Sequence, residues 1–233
     1  MADITGRVAL VTGASRGIGA ATSRLLAEAG VRVALASRKG DDLGIEGALA
    51  IACDVSHREQ VEAAVAQTME TLGGLDILVN NAGVATYGPF LDLAVDDIEE
   101  MIDVNLKGTL YATRAALPHL LESDAADILS IASVAGLRGF PGEAVYCASK
   151  FGQLGFGRAL DHELRERGVR VTNICPGGVA TDFAIGRGRP EEATEGMMSA
   201  DDVAETVLFA VSRPRNHRVL TLSYRPMSEP SAG

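Results

Sequence analysis

Cysteine is scarce and tryptophan is absent in this chain of 233 residues. The three cysteines, Cys53, Cys147 and Cys175, lie far apart, and no CxxC pair or cysteine–histidine cluster accompanies them. This spacing disfavours a disulfide framework or a metal site and is typical of reduced thiols in a cytosolic protein. We therefore expect a cytoplasmic protein that holds no metal.

Long apolar runs and an excess of positive charge are also missing. No stretch approaches the roughly 20 apolar residues of a membrane helix, and the opening MADITGRVAL lacks the extended apolar run of a signal peptide. The 21 basic residues are outnumbered by 31 acidic ones, which gives a net charge of −10. We expect no membrane or nucleic-acid partner, although a few local cations can still bind an anionic cofactor.

The chain does contain a regular alternation of apolar runs and helical patterns, and its length suits one domain over residues 1–233. The predicted strands cover 7–13, 31–37, 48–54, 75–81, 127–133, 169–176 and 218–223, and the predicted helices cover 17–30, 58–72, 96–121, 144–167 and 199–212. The strand runs are continuously apolar, which is typical of a parallel sheet covered by helices on both faces. The sequence thus predicts a single-domain, doubly wound, Rossmann-like α/β fold of about seven strands.

A glycine-rich turn, TGASRGIG at 12–19, joins the first predicted strand to the first helix. Gly13 would allow a sharp turn, Gly17 a close approach to a pyrophosphate, and Gly19 close packing of the helix on the sheet. The helix N-terminus would then offer free N–H groups to phosphates. A glycine-rich turn that binds nothing remains an alternative interpretation of this segment.

A tyrosine and a lysine stand four residues apart in YCASKFG, within a predicted helix. Tyr146 and Lys150 therefore share one helix face. A phenol, with a pKa of about 10, is a poor base at neutral pH, but a neighbouring ammonium lowers that pKa. The pair is thus a candidate acid/base with the cation that adjusts its pKa, although such a pair alone is more often ordinary surface.

Several motifs together resemble the short-chain dehydrogenase/reductase family, over residues 5 to 212. They are TGASRGIG, NNAG at 80–83, Asn105, Ser133, YCASK at 146–150 and PGGVATD at 176–182. Their order and spacing agree with the family, since Ser133 precedes Tyr146 by thirteen residues. The resemblance implies a nicotinamide-dependent oxidoreductase that interconverts a carbonyl and an alcohol on a small molecule.

The resemblance also implies the roles of four catalytic residues. Tyr146 would exchange the proton, and Ser133 would hydrogen-bond the substrate oxygen. Lys150 would hold the ribose hydroxyls of the nicotinamide half, and Asn105 would hold a water in a proton relay.

The cofactor contacts that the resemblance implies lie after the predicted strands, where open sheets bind ligands. They are Gly13, Ser15, Arg16, Gly17, Ile18, Gly19, Ser37, Arg38, Asp54, Val55, Asn81, Ala82, Gly83, Tyr146, Lys150, Pro176, Gly177, Val179 and Thr181.

The end of the second predicted strand indicates which nicotinamide cofactor binds. An acidic residue here would grip the ribose 2′-hydroxyl of NAD, but the strand ends in LASRK, with Ser37 in place of the acid. Arg38 and Arg16 could bind a 2′-phosphate through their forked donors. The sequence therefore predicts NADP(H), unless Asp41 or Asp42 turns inward.

Three segments depart from the resemblance. Residues 39–47 are too few for the usual crossover helix, the substrate lid at 183–198 is short and variable, and the tail at 224–233 is expected to be irregular. The substrate therefore stays open. A catalytically weak dinucleotide-binding sensor or scaffold is the alternative function, whereas the length disfavours a nucleotide-sugar epimerase.

Two predicted helices carry more apolar residues than one packing stripe requires. They include Ala112, Ala115, Ala116, Phe151, Leu154, Phe156 and Leu160. This excess, together with the resemblance, predicts a homo-oligomer, a homotetramer or a homodimer.

Overall fold

A computed structural model describes residues 2–190 and 194–229. Seven parallel strands form one sheet in the order β3-β2-β1-β4-β5-β6-β7. Their bounds are β1 Val8–Thr12, β2 Arg32–Ser37, β3 Leu49–Ala52, β4 Ile77–Asn80, β5 Asp127–Ile131, β6 Arg170–Pro176 and β7 Thr221–Tyr224. The order reverses direction beside β1, so the predicted doubly wound parallel sheet is confirmed.

Helices cover both faces of this sheet. Their bounds are α1 Gly17–Glu28, α2 Arg58–Leu72, α3 Val95–Met101, α4 Gly108–Leu120, α5 Ala144–Leu164 and α6 Ala200–Val211. Helices α1 and α6 share one hydrophobic cluster with the sheet, and α2, α4 and α5 share the other. Each face therefore has its own core.

The two cores explain why the strands lack polar alternation. In β1, Leu10 packs into the core under α2 and α4, whereas its neighbours Ala9 and Val11 pack into the core under α1 and α6. Successive strand residues point to opposite faces. Every position of β1 is therefore buried, and every position has to be compatible with burial.

Local signals set several helix ends as predicted. Helix α6 begins with a capping box, in which the Ser199 hydroxyl accepts from the Asp202 amide and the Asp202 carboxylate accepts from the Ser199 amide. Helix α1 ends before Gly30, which adopts a left-handed φ of 82°.

The predicted long helix at 96–121 is wrong in one respect, because it is not a continuous α-helix. A π-helical segment, Ile102–Lys107, separates α3 from α4. Gly108 follows at a point of close approach, where a Cβ would lie 2.7 Å from a Val55 methyl carbon. Such π segments often mark functional sites.

The short crossover between β2 and β3 contains no helix, as the sequence predicts. Leu43 and Ile45 reach the core beneath it as partly buried side chains. Strand β3 is correspondingly less covered, because Leu49 and Ala50 are half-buried and Ala52 is exposed. Strand β3, which forms the edge of the sheet next to β2, is therefore only partly covered by the rest of the chain.

The apolar residues behind the oligomer prediction are mostly buried inside this chain. Ala112, Ala116, Leu154 and Leu160 all belong to its own hydrophobic clusters. Phe151 alone of the cited side chains is strongly exposed, at 46%. The interpretation of these positions as surplus was therefore wrong, and the homo-oligomer stays a prediction supported here only by Phe151.

Transmembrane helices are not found in the described part of the chain, where no helix combines the length and hydropathy that a bilayer requires.

A buried ionic cluster fastens the edge of the sheet where the strands begin. Asp127, the first residue of β5, accepts hydrogen bonds from Arg7 at 2.7 Å, from Arg170 at 2.6 Å and from Arg215 at 3.2 Å. Its side chain is 5% exposed, and Arg170 is equally buried. One carboxylate thus binds three guanidinium groups drawn from distant parts of the chain.

Replacing Asp127 with asparagine should destabilise the protein by about 3–5 kcal/mol, because it leaves buried guanidinium groups without their counter-charge. Urea unfolding would measure the change. Asp103→Asn, which breaks an exposed pair with Lys107, should change stability little. Equal effects of the two substitutions would contradict this assignment.

Candidate active site

A cavity of about 510 Å³ opens at the edge of the sheet where the strands end. The turn after β1, the loop after β4, the end of β5, helix α5 and the loop after β6 all contribute to its wall. The predicted site residues that line it are Arg16, Gly17, Ile18, Asn81, Gly83, Ser133, Tyr146, Lys150, Pro176, Gly177, Val179 and Thr181.

Other predicted site residues do not line this cavity. They are Gly13, Ser15, Gly19, Ser37, Arg38, Asp54, Val55, Ala82 and Asn105. Some of them pack behind the wall, and others follow β2 and β3 farther along the same edge. Over residues 2–190 and 194–229, no group of three or more histidine, cysteine, aspartate or glutamate side chains is placed to hold a metal ion.

The glycine-rich turn is locked against the loop after β4. Gly13 adopts a φ of 64°, and a Cβ there would lie 2.7 Å from the Ala82 Cα. A Cβ on Gly19 would lie 2.4 Å from the Asn81 side-chain nitrogen, which donates to the carbonyls of Thr12 at 2.9 Å and Gly13 at 3.1 Å. Both glycines are therefore required by close packing.

The N-terminus of α1 is open towards the cavity. Arg16 is its N-cap, and no side chain caps the first amides. Gly17 has a φ of 53°, and a Cβ there would lie 3.3 Å from a Thr181 methyl carbon. Uncapped amides between glycine and a short side chain fit the phosphates of a dinucleotide. Arg16 is largely exposed, with its guanidinium 4.0 Å from Asp182.

Three polar side chains meet beside this opening. Tyr146 and Lys150 are buried, at 7% and 3% exposure. Ser133 lines the same cavity wall as Tyr146, and its hydroxyl accepts from the Ala135 amide at 3.1 Å. Lys150 Nζ donates to the Ile131 carbonyl at 3.0 Å and lies 5.7 Å from the centre of the Tyr146 ring.

Burial dominates the titration of both ionisable groups in this cluster. It raises the pKa of Tyr146 well above its ordinary value, although the hydrogen bond from Ser133 opposes the rise. It lowers the pKa of Lys150 to about 8. Burial is thus the largest influence on the phenol in this structure, and the lowering of its pKa by Lys150 and an oxidised nicotinamide stays a prediction.

Asn105 lies behind the wall and is completely buried. Its side-chain oxygen accepts from the Val84 amide at 2.8 Å, and its nitrogen donates to the Val84 carbonyl at 2.9 Å and to the Ser149 hydroxyl at 3.0 Å. The π segment holds it there. Both amide hydrogens are used in these contacts, so the predicted water-holding role of Asn105 stays a prediction.

Gly83 keeps a space open in front of this arrangement. A Cβ on Gly83 would lie 3.4 Å from the Asn105 side-chain oxygen and 3.7 Å from Lys150 Nζ. A side chain would therefore fill the approach to the lysine, as expected where a ligand passes.

The sequence matches the family model of the short chain dehydrogenases over residues 7–192. The chain belongs to the short-chain dehydrogenase family. It is an oxidoreductase of this family, as the resemblance predicted.

Known relatives of this short-chain dehydrogenase cover nearly all of its length. An uncharacterized oxidoreductase of Staphylococcus aureus (strain MRSA252) is 36% identical over 97% of this chain and 100% of its own. The closed form of serine dehydrogenase complexed with NADP+ has a TM-score of 0.90 at 34% identity, covering 97% of both chains. The 3-ketoacyl-(acyl-carrier-protein) reductase of Brucella melitensis complexed with NADH has a TM-score of 0.85 at 28% identity, over 94% of this chain and 96% of its own.

The described part of the dehydrogenase's lid is tied down more firmly than its variable sequence suggests. Arg187 donates to Asp97 at 2.7 Å and to Glu100 at 2.6 Å, on α3. Gly188 has a φ of 92°, with no room for a Cβ against the Tyr87 carbonyl. Residues 191–193 of the predicted lid, with Glu191 and Glu192, lie outside the described residues.

Several cavity residues were missed in the sequence. Tyr87 and Phe183 place their rings 5.8 Å and 5.9 Å from the Tyr146 ring, and Glu143 and Glu229 also line the wall. Glu143 stands three residues before Tyr146, a helical spacing that could have been noticed. Nothing in the pattern of the tail distinguishes Glu229.

The lowered pKa of Lys150 predicts a pH-dependent contribution to stability. The unfolded lysine titrates near pH 10.5 and the folded one near pH 8, so between these values the unfolded chain binds one more proton. Stability should therefore rise with pH in this window, by roughly 2 kcal/mol over two pH units. Lys150→Met should lack that part of the rise.

Urea unfolding of both proteins without added cofactor, between pH 7 and pH 10, measures the difference. The exposed Lys107→Met is the matched control and should keep the wild-type profile. Parallel profiles for wild type and Lys150→Met would contradict the assigned pKa.

Proposed function

We propose that this protein is an NADP(H)-dependent oxidoreductase that interconverts a carbonyl and an alcohol on a small molecule. The observation that carries the proposal is the meeting of Ser133, Tyr146 and Lys150 in one cavity with the uncapped N-terminus of α1. A binding module has no need of a buried phenol and a serine hydroxyl in one cavity.

The residues present fit a nicotinamide dinucleotide. The open amides of α1 would bind its pyrophosphate, Asn81 and Gly83 would lie beside the adenosine ribose, and Pro176 to Thr181 would orient the nicotinamide amide. When bound, the cofactor supplies the hydride and, in its oxidised form, a positive charge near the phenol.

Tyr146 would handle the proton of the substrate oxygen. In the reductive direction, its hydroxyl and that of Ser133 hydrogen-bond the carbonyl oxygen, and Tyr146 donates its proton as the alkoxide develops. In the oxidative direction, Tyr146 takes the proton from the alcohol. A positive charge beside the phenol lowers the pKa that burial has raised, which makes this exchange easier near neutral pH.

Lys150 would stay where it can hold ribose hydroxyls. Its Nζ is fixed by the Ile131 carbonyl, and Gly83 leaves the space in front of it open. Burial lowers its pKa to about 8, which still leaves the amine mostly protonated, and so cationic, near pH 7.

Aromatic rings form much of the substrate wall. Tyr87 packs edge-on against Tyr146, and Phe183 of the lid packs on it at a tilt. These rings exclude water from the phenol and leave an apolar surface for the carbon skeleton of a small substrate.

The end of β2 supports NADP(H). Ser37 is buried, and its hydroxyl accepts from the Gly40 amide at 3.2 Å, while Arg38 is exposed. Asp41 and Asp42 turn back to accept from the amides of their own loop. Both acids are exposed, so a 2′-phosphate would meet the Arg38 guanidinium here with neither of these two carboxylates against it.

We expect the wild type to bind NADP at least about 100-fold more tightly than NAD, since each charge-assisted phosphate hydrogen bond contributes about 1.5–3 kcal/mol. The double variant Ser37→Asp/Arg38→Ala should lose or reverse this preference. Calorimetry with both cofactors would measure it. Arg32→Ala, at the other end of the strand, serves as control. An unchanged preference in the double variant would contradict the assignment of NADP(H) recognition to Ser37 and Arg38.

Tyr146→Phe should lower turnover at least about a thousandfold, because the proton carrier is lost. NADPH binding should stay within a few-fold of wild type, because the ring remains. A panel of carbonyl compounds and alcohols, followed by reduced-nicotinamide absorbance, identifies the substrate first. Retained activity in Tyr146→Phe would refute the mechanism. Tight NADPH binding without turnover of any panel member by wild type would favour the sensor or scaffold.

A further inference from the structure

The segment after β7 folds back over the site. Residues 225–229, which we call the C-terminal segment, run from the end of β7 towards the turn that follows β6. The Gly177 amide donates to the Tyr224 carbonyl at 2.8 Å, and the Ser228 hydroxyl donates to the Gly196 carbonyl at 2.7 Å. The segment thus connects the turn after β6 to the far side of the lid.

Glu229 ends this segment with its carboxylate in the wall of the cavity. One carboxylate oxygen accepts from the Gly178 amide at 2.5 Å, and the other lies 3.9 Å from the Arg225 guanidinium. A charge-assisted hydrogen bond of this kind is among the stronger backbone contacts. The backbone of the turn is therefore held from outside by a side chain remote in sequence.

The two glycines of the turn, Gly177 and Gly178, lie directly against this carboxylate. A Cβ on Gly177 would lie 2.8 Å from one Glu229 oxygen and 2.9 Å from the other. A Cβ on Gly178 would lie 3.1 Å from a Glu229 oxygen and 2.9 Å from the Met197 sulfur. The position of Glu229 in the tail thus accounts for the glycine pair of PGGVATD, since a Cβ at either position would approach its carboxylate.

Electrostatics supports the same placement. Burial raises the pKa of Glu143, which lines the same cavity, and the negative charge of Glu229 raises it further. The Glu229 carboxylate therefore acts on the interior of the site as well as on the turn.

We propose that Glu229 is a positioning residue for the turn Pro176–Thr181, and that it holds this turn in the conformation that receives the nicotinamide end of the cofactor. The proposal rests on the proposed function for the identity of the ligand. It does not rest on it for the contact, since the hydrogen bond to Gly178 exists in the protein without cofactor.

Removing the carboxylate should loosen the turn and weaken cofactor binding. In Glu229→Ala, the Gly178 amide should exchange with solvent at least tenfold faster without added cofactor, and the NADPH dissociation constant should rise about tenfold. Glu229→Gln keeps an acceptor oxygen and should stay within about threefold of wild type in both measurements. Met227→Ala, a fully exposed neighbour in the same segment, should match wild type.

A second pair of variants tests the steric link. Gly177→Ala should displace the Glu229 carboxylate from the Gly178 amide and so weaken NADPH binding in the wild-type background. In the Glu229→Ala background the same substitution should have a clearly smaller effect, since the colliding group is gone. Independent effects in the two backgrounds would overturn the proposed contact.

The outcomes separate this proposal from the proposed function. If wild type fails to bind NADPH, the proposed function fails, while the exchange of Gly178 still tests the contact. If Glu229→Ala exchanges faster at Gly178 yet binds NADPH as wild type does, Glu229 is only structural and the proposal is refuted. Unchanged exchange in a folded Glu229→Ala protein, judged by its melting temperature, refutes it as well.

Discussion

The amide group of Asn81 is the contact on which the geometry of the site depends. It ties the end of β4 to the carbonyls of Thr12 and Gly13 at the end of β1, and it leaves no space for a side chain at Gly19. This fixes where α1 begins and which of its amides face the cavity. A parallel sheet brings strand ends together, but side-chain hydrogen bonds decide how close they come.

The loop after β4 extends this network of hydrogen bonds towards Tyr146. Val84 follows NNAG and exchanges two hydrogen bonds with Asn105, which also donates to the Ser149 hydroxyl. That hydroxyl donates in turn to the Tyr146 carbonyl at 2.7 Å. A series of buried and part-buried polar contacts thus joins the glycine-rich turn to the backbone of the candidate acid/base, in a region where an unsatisfied group would be costly.

The alternation of strands and helices and the outline of the candidate catalytic cluster were predictable from the sequence, because they follow from periodicity and from motifs at fixed spacing. Helix α2 was predicted at its observed bounds, since it carries one apolar face and contains neither glycine nor proline. The interruption at Asn105 was not predictable, because the π segment follows from a tertiary contact with Val84. The burial that raises the pKa of Tyr146 was not predictable either, since spacing reveals a charged neighbour but not the depth of burial. Glu229 was invisible because its partner, Gly178, lies 51 residues earlier in the chain.

The ionic cluster around Asp127, where the strands begin, bears on the order in which parts of the protein can fold during synthesis. Asp127 receives one guanidinium from 120 residues earlier in the chain and another from 88 residues later. Contacts between such distant residues close large loops and form late relative to local ones. During synthesis, the strands β1 to β5 can pair while this carboxylate still lacks Arg170 and Arg215. The contacts of Asp127, at the edge of the sheet far from the active site, are therefore completed last. Until β6 and the residues after α6 have been synthesised, this carboxylate stays charged and accessible to water.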